Sequence, residues 1–371
     1  MKNKVTKSGL ALIAMVLILA MVVTGCAASQ KSSSKQPTPE PEKVKVAFIY
    51  TSPAKDEGWS QAHDEARKFL EKEMPMVETT FVESVPENAD AESVLTELAM
   101  KGNKIIFATS FGYMDSVINV ARNFPEVTFL HCAGFKTAPN VGSYFGRIYQ
   151  ARYLSGMAAG KQTQTNTIGY VAAFPIPEVI RGINAFTLGA RAVNPNVTVK
   201  VAWTNTWYDP AVEKEVAEDV LKAGADVIAM HQNTPASMQA AEEKGKFAVS
   251  YNTDMRSQAP KAVLTGPVWN WGPYYVKTVK AVLDQRWKPD QYWGPMSDKI
   301  VDISPYGPMV NEATKNLITK KKEEIVKGQW DVFIGPIKDQ QGNVKIPDGQ
   351  RMSDKDMLEF DWFVQGIDGT I

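Results

Sequence analysis

The sequence predicts an α/β protein with two similar lobes, each built on a parallel sheet flanked by helices. From residue 44 onward, short apolar segments alternate with segments of helical periodicity. A pattern of strand, turn and helix opens at residues 44–70 and opens again at residues 168–194. A chain of 371 residues also exceeds what one hydrophobic core usually serves. We expect a ligand in the cleft between two such lobes.

The first lobe is predicted to span residues 44–160. Its strands are expected at 44–50, 77–83, 104–108 and 127–131, and its helices at 59–74, 90–101, 113–123 and 147–161. Ligands of parallel sheets lie beyond the carboxyl ends of the strands. The segments that follow strands, 52–59, 109–115 and 133–136, are therefore expected at the cleft.

The second lobe is predicted to span residues 161–300. Its strands are expected at 168–173, 197–203, 226–230, 247–251 and 262–266, and its helices at 178–193, 210–223, 235–244 and 272–286. Residues 301–371 are predicted to return the chain through a helix at 311–327, a hairpin turn at 339–342 and a helix at 353–363. Trp362 and Phe363 are expected to dock on a lobe surface.

The N-terminus predicts export. Three lysines precede an apolar run at residues 10–23, which is followed by Thr24, Gly25 and Cys26. Residues 1–25 are therefore predicted to be a signal peptide, and the polar, Ser/Pro-rich residues 26–43 a disordered tether. Cys132 has no partner for an internal disulfide in the mature chain, so we predict a buried, inert thiol.

Composition and motifs argue against several functions. Lys plus Arg equal Asp plus Glu at 41 each, so no net field attracts nucleic acid. The sequence has no GxSxG, Walker, HExxH or GxGxxG motif. The three histidines show no metal-ligand spacing. We therefore predict no catalytic residues, no metal site and no cofactor, and a binding protein rather than an enzyme.

Aromatic and polar side chains cluster at the predicted strand ends. The aromatic candidates are Trp59, Phe111, Phe174, Trp207 and Trp269, and the polar candidates are Ser60, Asp115, Asn184, Gln232 and Asp254. Any one of the aromatic residues could instead belong to the core, and Asp115 and Asp254 could equally form salt bridges. Flat apolar walls with polar edges suit a planar heteroaromatic ligand.

A known family shares these segments. VTGC at residues 23–26, VAFIYTSPAKDEGWSQAHDEA, TSFGYMDS, FPIPEVIRGINAFTLGARAVNP, WTNTWYDPAVEKEVA and YNTDM resemble the basic membrane protein family. That family comprises lipid-anchored substrate-binding components of ABC importers with the type I periplasmic-binding-protein fold. The resemblance implies a lipid on Cys26, a location at the extracytoplasmic face of the cell membrane, an ABC permease as partner and capture of a purine base or nucleoside by domain closure. We expect a monomer.

The resemblance also implies roles for individual residues. Trp59 stands where the family commonly has a phenylalanine, and Asp115 matches an acidic residue that reads the base. Phe174 and Asn184 match the wall of the second lobe, and Asp254 matches a contact to ribose hydroxyls.

One segment departs from the family pattern. After the strand at 262–266, nucleoside-binding relatives usually have a lysine, but here Trp269 and Trp271 occupy GPVWNWGPYY. We therefore expect a free base rather than a nucleoside. Three alternatives stay open: a ligand sensor, an importer component for a sugar or a thiamine-like vitamin, and, less favoured, a nucleoside-processing enzyme.

Overall fold

A computed structural model describes residues 43–371, so the predicted signal peptide, Cys26 and nearly all of the predicted tether lie outside the described residues. The strands, in chain order, are β1 (Val44–Ile49), β2 (Val77–Val82), β3 (Ile105–Ala108), β4 (Thr128–Cys132), β5 (Val141–Gly146), β6 (Thr167–Ala172), β7 (Thr198–Trp203), β8 (Val227–His231), β9 (Phe247–Val249), β10 (Val263–Thr265), β11 (Pro267–Trp269), β12 (Gln291–Gly294), β13 (Val301–Ile303), β14 (Ile337–Lys338), β15 (Val344–Ile346) and β16 (Ile367–Asp368). The helices are α1 (Trp59–Glu73), α2 (Ala89–Met100), α3 (Met114–Ala121), α4 (Ile148–Gln162), α5 (Pro177–Val193), α6 (Pro210–Lys222), α7 (Ala236–Glu243), α8 (Gly272–Leu283), α9 (Glu312–Val326) and α10 (Asp354–Leu358).

Two six-stranded parallel sheets form the two lobes. The first has the order β12-β5-β4-β3-β1-β2 and the second the order β10-β9-β8-β6-β7-β16. Inner strands such as β3 and β8 are buried along their whole length, which explains their continuous apolar sequences. The predicted fold class is confirmed.

The lobe boundaries differ from the predicted ones. Helix α4, predicted in the first lobe, packs against α5 of the second, whereas α8, predicted in the second lobe, packs against α1 of the first. Strand β12 pairs with β5 and so extends the first sheet. The chain therefore passes between the lobes three times, near residues 147, 266–271 and 295–300. Pairing between strands so distant in sequence leaves no local pattern for a boundary prediction to use.

Helices α4 and α5 approach closely because glycines face them at the contact. A Cβ atom on Gly156 would lie 2.1 Å from the Phe186 carbonyl oxygen, and one on Gly160 would lie 2.4 Å from that of Ala190. The small residues of α4, which include Ala151, Ser155 and Gly156, are compatible with this close packing.

The C-terminal region closes against the second lobe. Strands β14 and β15 form the predicted antiparallel hairpin. The predicted helix at 353–363 is shorter, because α10 ends at Leu358. Phe363 is buried and lies parallel to the ring of Trp203 at 6.5 Å, and β16 adds a strand beside β7. Docking of Phe363 is therefore confirmed.

Cys132 is fully buried at the end of β4, and burial raises the pKa of its thiol, as expected of an inert cysteine. Within residues 43–371, no helix has the length and apolar character that crossing a membrane requires. Across the same residues, no group of three or more His, Cys, Asp or Glu side chains is arranged to hold a metal ion.

Candidate functional site

A cavity lies where the two lobes meet. The residues that line it share a position at or after the carboxyl end of a strand. From the first lobe they are Thr51, Trp59, Ser110, Phe111 and Ala133, and from the second Glu178, Trp207, His231, Asn233 and Tyr251. The sheet topology therefore places the cavity where parallel strands direct their ligands. The predicted residues Trp59, Phe111 and Trp207 all lie there.

Trp59 forms the wall on the first-lobe side. It begins α1, and its indole nitrogen donates a hydrogen bond of 2.7 Å to the Thr109 carbonyl oxygen, which fixes the ring. Trp269 packs edge-on against Trp59 at 5.6 Å and stacks on Trp271 at 4.4 Å. Trp269 is not among the residues that line the cavity. The prediction that it contacts ligand is corrected, because its ring supports Trp59 from behind.

The loop before α1 is organised by a buried carboxylate. Asp56 accepts hydrogen bonds from the Ser52 hydroxyl at 2.6 Å and from the backbone N–H groups of Gly58, Ser60 and Gln61. The Ser60 hydroxyl lies 2.7 Å from that of Ser52. Ser60 therefore fixes the loop that carries Trp59, and its side chain is not part of the cavity lining.

Trp207 forms the facing wall from the second lobe. Its ring meets Phe174 at 5.2 Å in an edge-to-face arrangement, so Phe174 supports this wall as Trp269 supports the other. The indole nitrogen of Trp207 donates to a carboxylate oxygen of Glu87, a first-lobe residue, at 3.2 Å. This hydrogen bond joins the two lobes at the edge of the cavity.

Further contacts between the lobes surround the cavity. The Asn233 amide nitrogen lies 3.4 Å from the Ser52 hydroxyl, and the Thr253 hydroxyl donates to the Glu57 carbonyl oxygen at 2.5 Å. A Cβ atom on Gly58 would lie 2.3 Å from the Asn233 carbonyl oxygen, so the backbones of the lobes touch at this glycine.

The polar end of the cavity belongs to the second lobe. Glu178 is the second residue of α5, where the helix N-terminus favours negative charge, and its side chain is 12% exposed. One carboxylate oxygen lies 3.5 Å from Nε2 of His231. Burial, with the charge of Arg152, lowers the pKa of His231 to about 4, so the imidazole is neutral near pH 7. The Arg152 guanidinium lies 3.6 Å from the ring centre of Tyr251.

Three predicted polar residues lie away from the cavity, and each is corrected. The Asp115 side chain is 70% exposed and forms an ion pair with Lys136. Asp254 forms an ion pair with Arg256, two residues further along the chain. Asn184 faces the C-terminal segment, where it donates to the Trp362 carbonyl oxygen at 2.8 Å and accepts from the Val364 N–H at 3.0 Å. In each case a protein partner already engages the polar group.

Gln232 lies next to the cavity residue His231 but points elsewhere. Its amide nitrogen donates to the Thr204 hydroxyl at 2.6 Å. The prediction that Gln232 lines the site is corrected, because successive residues at the end of a strand point to opposite sides.

Sequence reasoning assigned no ligand contact to Glu178, His231, Asn233 or Tyr251. His231 shows no metal-ligand spacing, and Tyr251 ends the predicted strand at 247–251. Glu178 was treated as part of a helix. The available signal was position, because Glu178 is the first carboxylate after β6, and His231 and Tyr251 lie at the ends of β8 and β9.

Solved structures share the fold. An ABC transporter solute-binding protein from Aeropyrum pernix superposes with a TM-score of 0.69 at 18% identity, covering 80% of this chain and 93% of that one. Another from Conexibacter woesei gives 0.63 at 19% identity, covering 78% and 98%. The fold is therefore that of the two-lobed solute-binding proteins.

Sequence comparison gives the family. The model for "ABC transporter substrate-binding protein PnrA-like" (Bmp) matches residues 43–332. A purine-binding protein of Brucella abortus is 42% identical over 329 residues, covering 88% of this chain and 94% of its own length. A putative ABC transporter glucose-binding protein of Haloferax volcanii is 38% identical over 328 residues, covering 88% and 81%. The chain belongs to this family of extracytoplasmic substrate-binding proteins, which is not an enzyme class.

Proposed function

We propose that the protein captures a purine in the cavity between its lobes, as the lipid-anchored binding component of an ABC importer. The observation that carries this proposal is the pair of aromatic walls, Trp59 and Phe111 on one lobe and Trp207 on the other, around a cavity with a polar end. Such walls stack on a planar ring. The purine-binding relative supports the same ligand class.

Capture would proceed by closure of the lobes about the three connecting segments. Closure brings Trp207 against the first lobe through Glu87 and encloses the ligand. Stacking and apolar burial supply much of the affinity. The polar end supplies specificity, because a ligand with the wrong edge leaves buried polar groups unpaired.

We propose a free base as the preferred ligand, ahead of a nucleoside. Where relatives that bind nucleosides carry a lysine after β10, this chain carries Trp269 and Trp271, whose stacked rings fill the space behind Trp59. Among the cavity-lining residues of the described chain, none is a lysine or an arginine. A ribose would therefore lack a cationic partner.

Calorimetric titration of the soluble part, residues 27–371, after unfolding and refolding to remove any bound ligand, tests both statements. We expect micromolar or tighter binding of at least one of adenine, hypoxanthine, guanine and xanthine, with the corresponding nucleoside binding more weakly. A nucleoside that binds more than about tenfold tighter than its base, some 1.4 kcal/mol, would reverse the preference. Absence of binding by every purine would refute the proposed function.

A sugar ligand is the second candidate, because the Haloferax volcanii relative is named a putative glucose-binding protein. Sugar sites also combine tryptophan with acidic and amide side chains. Glucose in the same titration separates the two, since saturable glucose binding without purine binding would favour the sugar.

The proposed lipid anchor is on Cys26, the residue that directly follows the predicted signal peptide. One acyl chain holds a protein to a membrane only weakly, so stable anchoring requires a multiply acylated cysteine. Cys26→Ser should move the protein from the membrane fraction to the soluble extracytoplasmic fraction. Retention in the membrane fraction would contradict lipidation at this residue.

The membrane partner decides whether the protein serves an importer or a sensor. An ABC permease as partner would indicate an importer, and a membrane receptor would indicate a sensor.

A further inference from the structure

Glu178 brings an unshared acceptor to the cavity. Within residues 43–371 it is the one carboxylate among the lining side chains. His231 Nε2 lies 3.5 Å from one of its oxygens, which is longer than a normal hydrogen bond. A largely buried polar group requires hydrogen-bond partners, because leaving it unpaired costs free energy. Glu178 therefore has capacity to accept a hydrogen bond from a ligand.

His231 provides a donor beside this acceptor. The imidazole is buried and neutral, so it carries one N–H. Because Nε2 faces the Glu178 oxygen, a proton on Nε2 is attracted to the carboxylate, whereas a lone pair there would be repelled. Nδ1 has no hydrogen-bond partner within the described residues. This arrangement favours the tautomer in which Nε2 is the donor. Because 3.5 Å is longer than a normal hydrogen bond, that N–H can still be donated to a ligand atom that approaches both side chains.

The chemistry of an acceptor next to a donor selects a complementary ligand edge. Adenine offers a donor beside a ring-nitrogen acceptor in three places, at the 6-amino group with N7, at the 6-amino group with N1 and at N9–H with N3. The O6 and N7 edge of a 6-oxopurine offers two acceptors, so it would place an oxygen against the carboxylate. N9–H exists in the free base and is absent from a nucleoside.

We propose that Glu178 and His231 act together as the specificity-determining pair of the site, Glu178 accepting an N–H of the purine and His231 donating to the adjacent ring nitrogen. This inference rests on the proposed function and adds the residues that read the base. Tyr251, packed edge-on against His231 at 4.6 Å, holds the imidazole in this orientation.

The test is calorimetry with adenine on the wild-type soluble part and on Glu178→Gln, a substitution of nearly unchanged shape. The amide replaces one acceptor oxygen with an NH₂ donor, so we expect adenine to bind at least tenfold more weakly. Glu312→Gln is the matched control, because Glu312 also lies in the first turn of a helix but is 79% exposed. Its affinity for adenine should stay within twofold of wild type, and circular dichroism should show both variants folded.

Two analogues identify the edge. Hypoxanthine lacks the 6-amino group, and 9-methyladenine lacks N9–H. The pair is supported if Glu178→Gln shows the loss and at least one analogue binds wild type at least tenfold more weakly than adenine, and the weaker analogue marks the edge. The pair is overturned if Glu178→Gln binds adenine within twofold of wild type, or if both analogues bind as tightly as adenine. If wild type binds none of the three compounds, the pair is overturned, and if guanine and xanthine also fail to bind, the proposed function fails with it.

Discussion

At the scale of single residues, Trp207 both forms a wall of the cavity and joins the two lobes. It lines the cavity, packs against Phe174 and donates to Glu87. Trp207→Ala removes the wall and the hydrogen bond together. We expect purine affinity to fall by at least tenfold in calorimetry, because stacking of a base on an aromatic ring contributes about 1–3 kcal/mol. An affinity within twofold of wild type would remove Trp207 from the site.

Asp115→Ala is the control for that experiment. The family resemblance implies that Asp115 reads the base, and the loss expected on that ground is more than about 1 kcal/mol. The structure instead pairs this exposed carboxylate with Lys136. We now expect an affinity within twofold of wild type, and a tenfold loss would return Asp115 to the site.

The sequence predicts cavity residues where strand-end position alone decides the placement, as for Trp59, Phe111 and Trp207. It fails where the direction of a side chain decides. Asn184 lies in α5 and faces the C-terminal segment. Its hydrogen-bond partners there are 178 and 180 residues further along the chain. The local sequence does not show such a partner. It therefore does not distinguish an amide that is hydrogen-bonded to distant backbone from an amide that is free to bind a ligand.

At the scale of secondary-structure elements, the contact between α4 and α5 depends on glycine. Gly156→Ala would place a methyl group 2.1 Å from the Phe186 carbonyl oxygen. Backbone cannot move away as a flexible side chain can, so we expect the free energy of unfolding in urea to fall by about 1–3 kcal/mol.

The matched control is Gly182→Ala in α5, where the added Cβ meets only side-chain atoms at 3.6 Å or more. Alanine also favours the helical backbone over glycine by about 0.5–1 kcal/mol. We expect this variant to unfold at an equal or higher urea concentration than wild type. Equal stability of the two variants would contradict the tight packing at Gly156.

Helix α6 carries a pH dependence of stability. Burial raises the pKa of Glu213 to about 8, although the Thr234 hydroxyl donates to its carboxylate. Between the ordinary glutamate pKa of 4.5 and the raised pKa of about 8, the folded protein holds a proton that the unfolded chain releases. The unfolded state then binds fewer protons, so stability falls as pH rises through this window.

Glu213→Gln removes this ionisation. Its free energy of unfolding should therefore change less between pH 5 and pH 8 than that of wild type, which should lose up to about 1.4 kcal/mol per pH unit from this group. Urea titrations at the two pH values measure the difference. Parallel curves for the variant and wild type would show that Glu213 ionises normally in the folded protein.

Most elements follow from the sequence because inner parallel strands are continuous apolar runs and their helices are amphipathic. Strands β5 and β12 escaped prediction for a physical reason. The sequence of β5, VGSYFG, contains two glycines, and β12, QYWG, lies at the sheet edge with an exposed glutamine. Strand β5 pairs with β4 on one side and with β12 on the other, and β12 pairs within this sheet through β5, a contact between residues about 150 positions apart.

At the scale of the whole molecule, the two lobes are predictable and their exchange of segments is not. Periodicity shows two α/β series, but it does not show that β12 returns to the first sheet or that β16 completes the second. This exchange provides three connections between lobes. Connections of this kind permit the hinge motion that the proposed capture mechanism needs. The hydrogen bond from Trp207 to Glu87 joins the two lobes in this structure.

The most direct test of purine capture is to identify what the protein carries. The soluble part, residues 27–371, is purified without added ligand and denatured, and the released small molecules are identified by mass spectrometry. We predict release of a purine base in an amount comparable to the protein. Release of a sugar or of a thiamine-like compound in place of a purine would contradict the account.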